Sequence, residues 1–194
     1  MTHKGLPKRQ MGIVDAEKLP VGDCESKTIA HARSTSWATT GSYNAFAKNH
    51  CAAVLATNLA LYFAHIGYPQ LKENNTIDAT FFSLYKLIGN GPVARLAPKA
   101  ARYFSGKETI LNYKPVHSQK LVAEAIDNNR LCSVLISDCL FNWHWVICVG
   151  YVRYKSGRFF MQVVDGWNDT VDRYYEPNSG SAWMYATQFW ASSL

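Results

Sequence analysis

The chain has 194 residues, 48% of them hydrophobic and 18% charged, with a formal net charge of +6. That length suits one well-filled domain, and no apolar run is long enough for a membrane span. Lys and Arg are scattered, with Lys4, Lys8 and Arg9 the densest group, and no recognition helix, zinc finger or RNA-binding aromatic motif accompanies them, so no nucleic-acid partner is expected.

Residues 1–26 are broken by Pro and Gly and have little periodicity. They read as an N-terminal arm lying over a single α+β domain of two lobes, 27–194. Residues 28–40 are small and polar, with Trp37 as an anchor. Residues 49–65 form an unbroken run of small and apolar side chains, with Val54, Leu55, Leu59, Leu61 and Tyr62 close to helical spacing. Asn49 serves as N-cap, and Gly67-Tyr68-Pro69 ends the helix. A second helix spans 76–88, a third opens at Pro92 and runs to Phe104 before Gly106, and a short strand covers 109–113. An amphipathic helix at 118–128 follows.

After Asn129 the character changes to β-forming runs at 131–136 and 143–152. A turn at 155–157 leads into a returning strand at 158–164, and shorter strands follow at 174–175 and 183–185. A helical first part followed by an antiparallel second part argues for an α+β fold.

The five cysteines are Cys24, Cys51, Cys132, Cys139 and Cys148. None forms a CxxC pair, so neither a disulfide scaffold nor a zinc site is expected, and no cofactor is called for. Cys132 and Cys148 fall in apolar strands and read as core thiols. Cys51 stands in the first turn of its helix, where unpaired N–H groups and the helix dipole favour a thiolate. Cysteines in apolar helices are usually packing residues, so Cys51 becomes a candidate nucleophile only with a base.

His144, flanked by Trp143 and Trp145, begins the long strand, and Asp165 closes the returning one. With the turn near 155–157 the two come side by side, unless a bulge shifts the register. A carboxylate there would hold the imidazole's tautomer and stabilise the imidazolium. Asp169 and Asp172 lie in a polar loop and read as solvated. His50 points off another side of the turn, and His3, His31, His65 and His117 lack a shaped context. Asn58 bonds locally or packs. The six tryptophans line a groove or fill the core.

Asn49-His50-Cys51-Ala52-Ala53 with Tyr68-Pro69 resembles the nucleophile helix of streptopain-like peptidases. The segment 144–151, followed by Val164-Asp165-Gly166-Trp167, resembles the His strand and Asp-Gly-Trp turn of the same papain-like cysteine peptidase superfamily, whose bacteriocin-leader-peptidase-like branch shares the layout. The resemblance covers roughly residues 42 to 170. It implies a helical lobe packed on an antiparallel sheet, and a Cys51-His144-Asp165 triad cleaving amide bonds of a peptide or protein through a thioester.

The superfamily also places a Gln before the cysteine as oxyanion donor. None occurs here, so Asn44 is the substitute and Asn49 the alternative. Ala52-Ala53 stands where the second branch often has Gly-Pro. These departures keep two other readings open: a transglutaminase-like acyltransferase, and a catalytically degenerate peptide-binding domain. The first twenty residues do not form a signal peptide, which suits a cytoplasmic protein or a secreted or cell-surface one whose leader has been removed. Oligomeric state is not legible.

Overall fold

The computed structural model describes residues 11–91, 93–140 and 142–194. The basic group Lys4, Lys8 and Arg9, together with His3 and Pro92, lies outside these residues. Among the described residues no helix is long and apolar enough to cross a membrane.

The centre of the fold is helix α1, Cys51–His65. Every residue from 52 to 63 is buried. A helix that is apolar all round is stable only when enclosed on all sides. Helix α2 (Ile77–Ile88) and helix α3 (Leu96–Ser105) pack against it. Thr76 caps α2 by accepting the Ala79 N–H at 3.1 Å, and Gly89, at φ 79°, ends it. The side chain of Asn58, buried in α1, accepts the Ala38 N–H at 2.7 Å and donates to the Ala38 carbonyl at 3.0 Å. This clamp pins the loop before α1 to the helix. Trp37 is the anchor the sequence suggests: it is buried, stacked on Tyr62, and donates its indole N–H to the Ala32 carbonyl.

The described strands form one antiparallel sheet. They are β1 (Ile13–Asp15), β2 (Cys24–Thr28), β3 (Thr109–Val116), β4 (Leu131–Cys139), β5 (Asn142–Tyr154), β6 (Phe159–Val164), β7 (Arg173–Tyr175) and β8 (Ala182–Ser193). The order is β1-β7-β6-β5-β4-β8-β3, with β2 on β5. Helix α4 (Gln119–Asp127), capped by Ser118, packs on β4, β5 and β2. The architecture is α+β.

Of the stretch read as an arm, β1 and β2 are sheet strands, and Ile13 is fully buried. Strand β3 runs three residues past the expected Tyr113, through Pro115. Pro is tolerated there because β3 lies at the end of the strand order, where its missing donor interrupts no central ladder.

Strand β5 organises the sheet. It pairs with β4 through 142–148 and with β2 through 150–154, whereas β6 covers only 147–153. Residues 142–146 therefore have no β6 partner, and this uncovered end carries His144. Helix α1 packs against the same strand. Ile147 opposes Val164, and a bulge falls between Cys148 and Gly150. Continued past Ile147, that register sets His144 across from position 167 and not 165. The expected pairing was thus off by two residues.

The Asn58 clamp yields a stability prediction. Asn58→Ala leaves the buried N–H and C=O of Ala38 unpaired and should cost about 2–4 kcal/mol. Urea unfolding would read this as a lower midpoint, and an unchanged midpoint would deny the clamp its role.

Candidate active site

Cys51 is the first residue of α1, and His50 occupies the capping position with no side-chain cap bond. The expected cap, Asn49, is instead in the left-handed region at φ 55°, which Asn tolerates better than most residues. The first-turn N–H groups therefore meet no side-chain cap and face the end where the sulfur sits. Burial is the largest influence on the half-buried thiol and raises its pKa. The backbone N–H groups of Trp145, Ala52 and Cys51 itself pull the other way. At neutral pH Cys51 rests as a thiol with its anion partly provided for.

His144 is buried. Its Nε2 lies 2.6 Å from the backbone carbonyl oxygen of Asp165. A carbonyl only accepts, so Nε2 carries the hydrogen and Nδ1 is left as the basic nitrogen. The ring stacks on Trp167, with centroids 4.2 Å apart and planes 10° from parallel. Burial lowers the His144 pKa from 6.5 to about 4, with the Asp165 carbonyl opposing the shift.

The carboxylate of Asp165 does not face the imidazole, and here the structure corrects the expectation. It accepts the N–H groups of Trp167 and Asn168, the Asn168 amide at 3.0 Å and Arg173 Nε at 3.0 Å. Asp165 orients His144 through its main chain, while its side chain shapes the turn that presents that carbonyl. Burial raises the carboxyl pKa, and the Trp167 N–H and the Arg173 charge lead the influences that lower it. Arg173, buried like its partner, also pairs with Asp15 of β1.

Cys51 and His144 line one cleft of about 290 Å³, together with Asn44, Asn49, Trp143 and Trp167. Both oxyanion candidates thus border the cleft, on its exposed rim. His31, His65 and His117 do not line it. Cys132 and Cys148 are fully buried core thiols, and Cys24 and Cys139 are exposed. Asp172 pairs with Arg33 at the surface, and Asp169 is exposed. Among the described residues no cluster of His, Cys, Asp and Glu suits a metal ion.

Sequence reasoning missed three residues. His50 is enclosed and bound to Thr40, Trp167 stacks on His144, and Arg173 supports Asp165. Trp167 alone left a signal, in the Gly-Trp pair after Asp165.

No protein-family model and no curated protein matches the sequence. The fold is similar to the crystal structure of a presumed C39-like peptidase from Bacillus anthracis. The two share 13% identity at a TM-score of 0.56, over 87% of this chain and 99% of that one. At such identity the likeness establishes shared architecture.

Two outcomes are expected. The unfolded chain takes up the His144 proton near pH 6.5 and the folded protein only near 4. Stability from burying the neutral ring is therefore complete above about pH 6.5 and lost as pH falls towards 4. Urea titrations of wild type and His144→Gln across this window should diverge at the top and converge towards its foot; parallel curves would contradict the assignment. Separately, Asp165→Asn keeps the carbonyl but leaves Arg173 short of a buried partner, and should cost about 3–5 kcal/mol of stability. The alkylation rate of Cys51 in its folded fraction should fall by no more than about fivefold, because the Asn side chain can still accept from the backbone of the turn, whereas a collapse of that rate would return the orienting role to the carboxylate.

Proposed function

We propose that this chain is a cysteine peptidase-like hydrolase that cleaves peptide amide bonds, with Cys51 as nucleophile and His144 as base. The reading is supported above all by one observation. The thiol at the start of α1 and the imidazole on the uncovered end of β5 border the same cleft, and the imidazole's Nε2 is engaged elsewhere, which leaves Nδ1 as the proton acceptor. The C39-like architecture agrees with it.

The resting pair is neutral, so the reaction begins with proton transfer. Nδ1 of His144 takes the Sγ proton as the sulfur adds to the substrate carbonyl carbon. The resulting oxyanion is received by the Cys51 N–H and by the side-chain amide of Asn44. Collapse breaks the C–N bond, His144 returns its proton to the departing amine, and a thioester remains on Cys51. Water, deprotonated by His144, then attacks the thioester and releases the acid. The Asp165 carbonyl holds the ring and stabilises the imidazolium that forms twice in this cycle. Trp167 covers one face of the ring and limits its contact with water.

The neutral resting pair also favours a second reading, a peptide-binding domain without turnover, because a protonated thiol is a weak nucleophile. Acyl transfer to an amine instead of water uses the same first half-reaction.

A mixed peptide library incubated with the full chain decides among these. Acid-quenched intact mass should show an acyl adduct on Cys51, and turnover should fall at least ~1000-fold in Cys51→Ala and His144→Ala. Binding with neither adduct nor cleavage would select the binding domain. Amide products with an added alkylamine, in place of free acids, would select acyl transfer.

A further inference from the structure

His50 precedes the nucleophile and is enclosed, with 3% of its surface exposed. Its Nε2 lies 2.9 Å from the Thr40 carbonyl, which makes Nε2 the protonated nitrogen. Its Nδ1 is buried with no hydrogen-bond partner. A buried polar atom left unpaired costs free energy, and a single bond therefore sets how the polar part of this ring is held. The faces are packed edge-on against Tyr43 and Phe81, at centroid distances of 6.4 and 5.9 Å.

Thr40 is the relevant partner because its other bonds cross to the sheet. Its N–H and its hydroxyl both donate to the Gly166 carbonyl, at 2.7 and 3.0 Å. Gly166 follows Asp165, whose carbonyl holds His144. A continuous path thus runs from the residue before Cys51, through Thr40 and Gly166, to the residue that fixes the imidazole. The chain positions involved are separated by up to 126 residues, and both His50 and Thr40 border the cleft.

We infer that His50 is a positioning residue, which sets the placement of the Cys51 sulfur relative to His144 by anchoring the start of α1 to the turn that holds the imidazole. This rests on the Cys51–His144 reading of the site. Loss of the Nε2 donor frees the helix start from Thr40, and proton transfer between two groups is sensitive to displacements well below 1 Å. Only a donor at the ε position satisfies Thr40. A Gln side chain can place its amide nitrogen there, and Asn, one methylene shorter, presents its nitrogen at the δ position.

The test is the pH dependence of Cys51 alkylation by iodoacetamide, resolved by peptide mapping, in wild type, His50→Gln, His50→Asn and His50→Phe. Unfolded protein is removed before labelling, and Cys24 and Cys139 serve as internal references. Near neutral pH wild-type Cys51 should react at least about tenfold faster than Cys51 in a His144→Ala control, because Nδ1 of His144 takes the thiol proton as the sulfur attacks. His50→Asn and His50→Phe should slow Cys51 about tenfold, the effect of one lost hydrogen bond, and move its profile to that of an unassisted thiol. His50→Gln should restore the rate to within about threefold. Reaction of His50→Asn at the wild-type rate and profile overturns the positioning role while leaving the nucleophile intact. Should His50→Phe not fold, the Gln and Asn pair carries the same distinction. A wild-type Cys51 that reacts no faster than Cys51 in His144→Ala overturns the nucleophile reading itself, and the inference with it.

Discussion

The hydrogen bond from His144 Nε2 to the Asp165 carbonyl is the interaction on which the proposed chemistry turns. It decides which nitrogen carries the hydrogen and which one remains basic. A main-chain acceptor can do this only if the main chain is rigid. Here the rigidity comes from the Asp165 side chain, which is tied down by two backbone N–H groups, an amide and a buried guanidinium. The carboxylate thus serves the imidazole at one remove, and the strength of that service depends on Arg173. Because Arg173 also pairs with Asp15, the first strand of the sheet is joined to the same turn.

The second constraint is the burial of α1. A helix enclosed from 52 to 63 has little freedom to slide, so a cysteine at its first position occupies a fixed point. Its free N–H groups meet the sheet where β6 has already ended, and the Trp145 N–H is among the groups that favour the thiolate. The same enclosure raises the thiol and lowers the imidazole, so the two groups rest uncharged. In the proposed hydrolase such a site would be activated by the substrate's arrival, when solvent is displaced and a developing charge finds donors already in place.

Much of this was legible in the residues, for identifiable reasons. The apolar run of α1 has no competing reading as a strand, because it is too long and lacks β-branched enrichment. The helices at 76–88 and 118–128 are legible from their spacing, and in the structure the side chains of Thr76 and Ser118 cap them. What failed was what depends on the backbone alone. Strand β2, Cys-Glu-Ser-Lys-Thr, keeps most of its side chains exposed and joins the sheet through main-chain pairing, so it leaves no hydrophobic period. Arg153 pairs with Phe159, so the hairpin centres on Ser156, later than the expected register needs. The bulge near Cys148 takes back only one residue, which puts Trp167 where Asp165 is expected. A carbonyl acting in place of a carboxylate has no sequence signature, since every residue has one. His50 was set aside for its direction off the turn, and only the fold reveals the carbonyl that binds it.

The central claim is that Nδ1 of His144 is the unprotonated nitrogen facing the Cys51 thiol. Nitrogen-15 NMR of the His144 ring, before and after selective methylthiolation of Cys51, addresses it directly. The account predicts a protonated Nε2 and a bare Nδ1 at neutral pH, with Nδ1 alone responding to modification of the sulfur. A proton on Nδ1, or a ring whose two nitrogens are both indifferent to the state of Cys51, would contradict it.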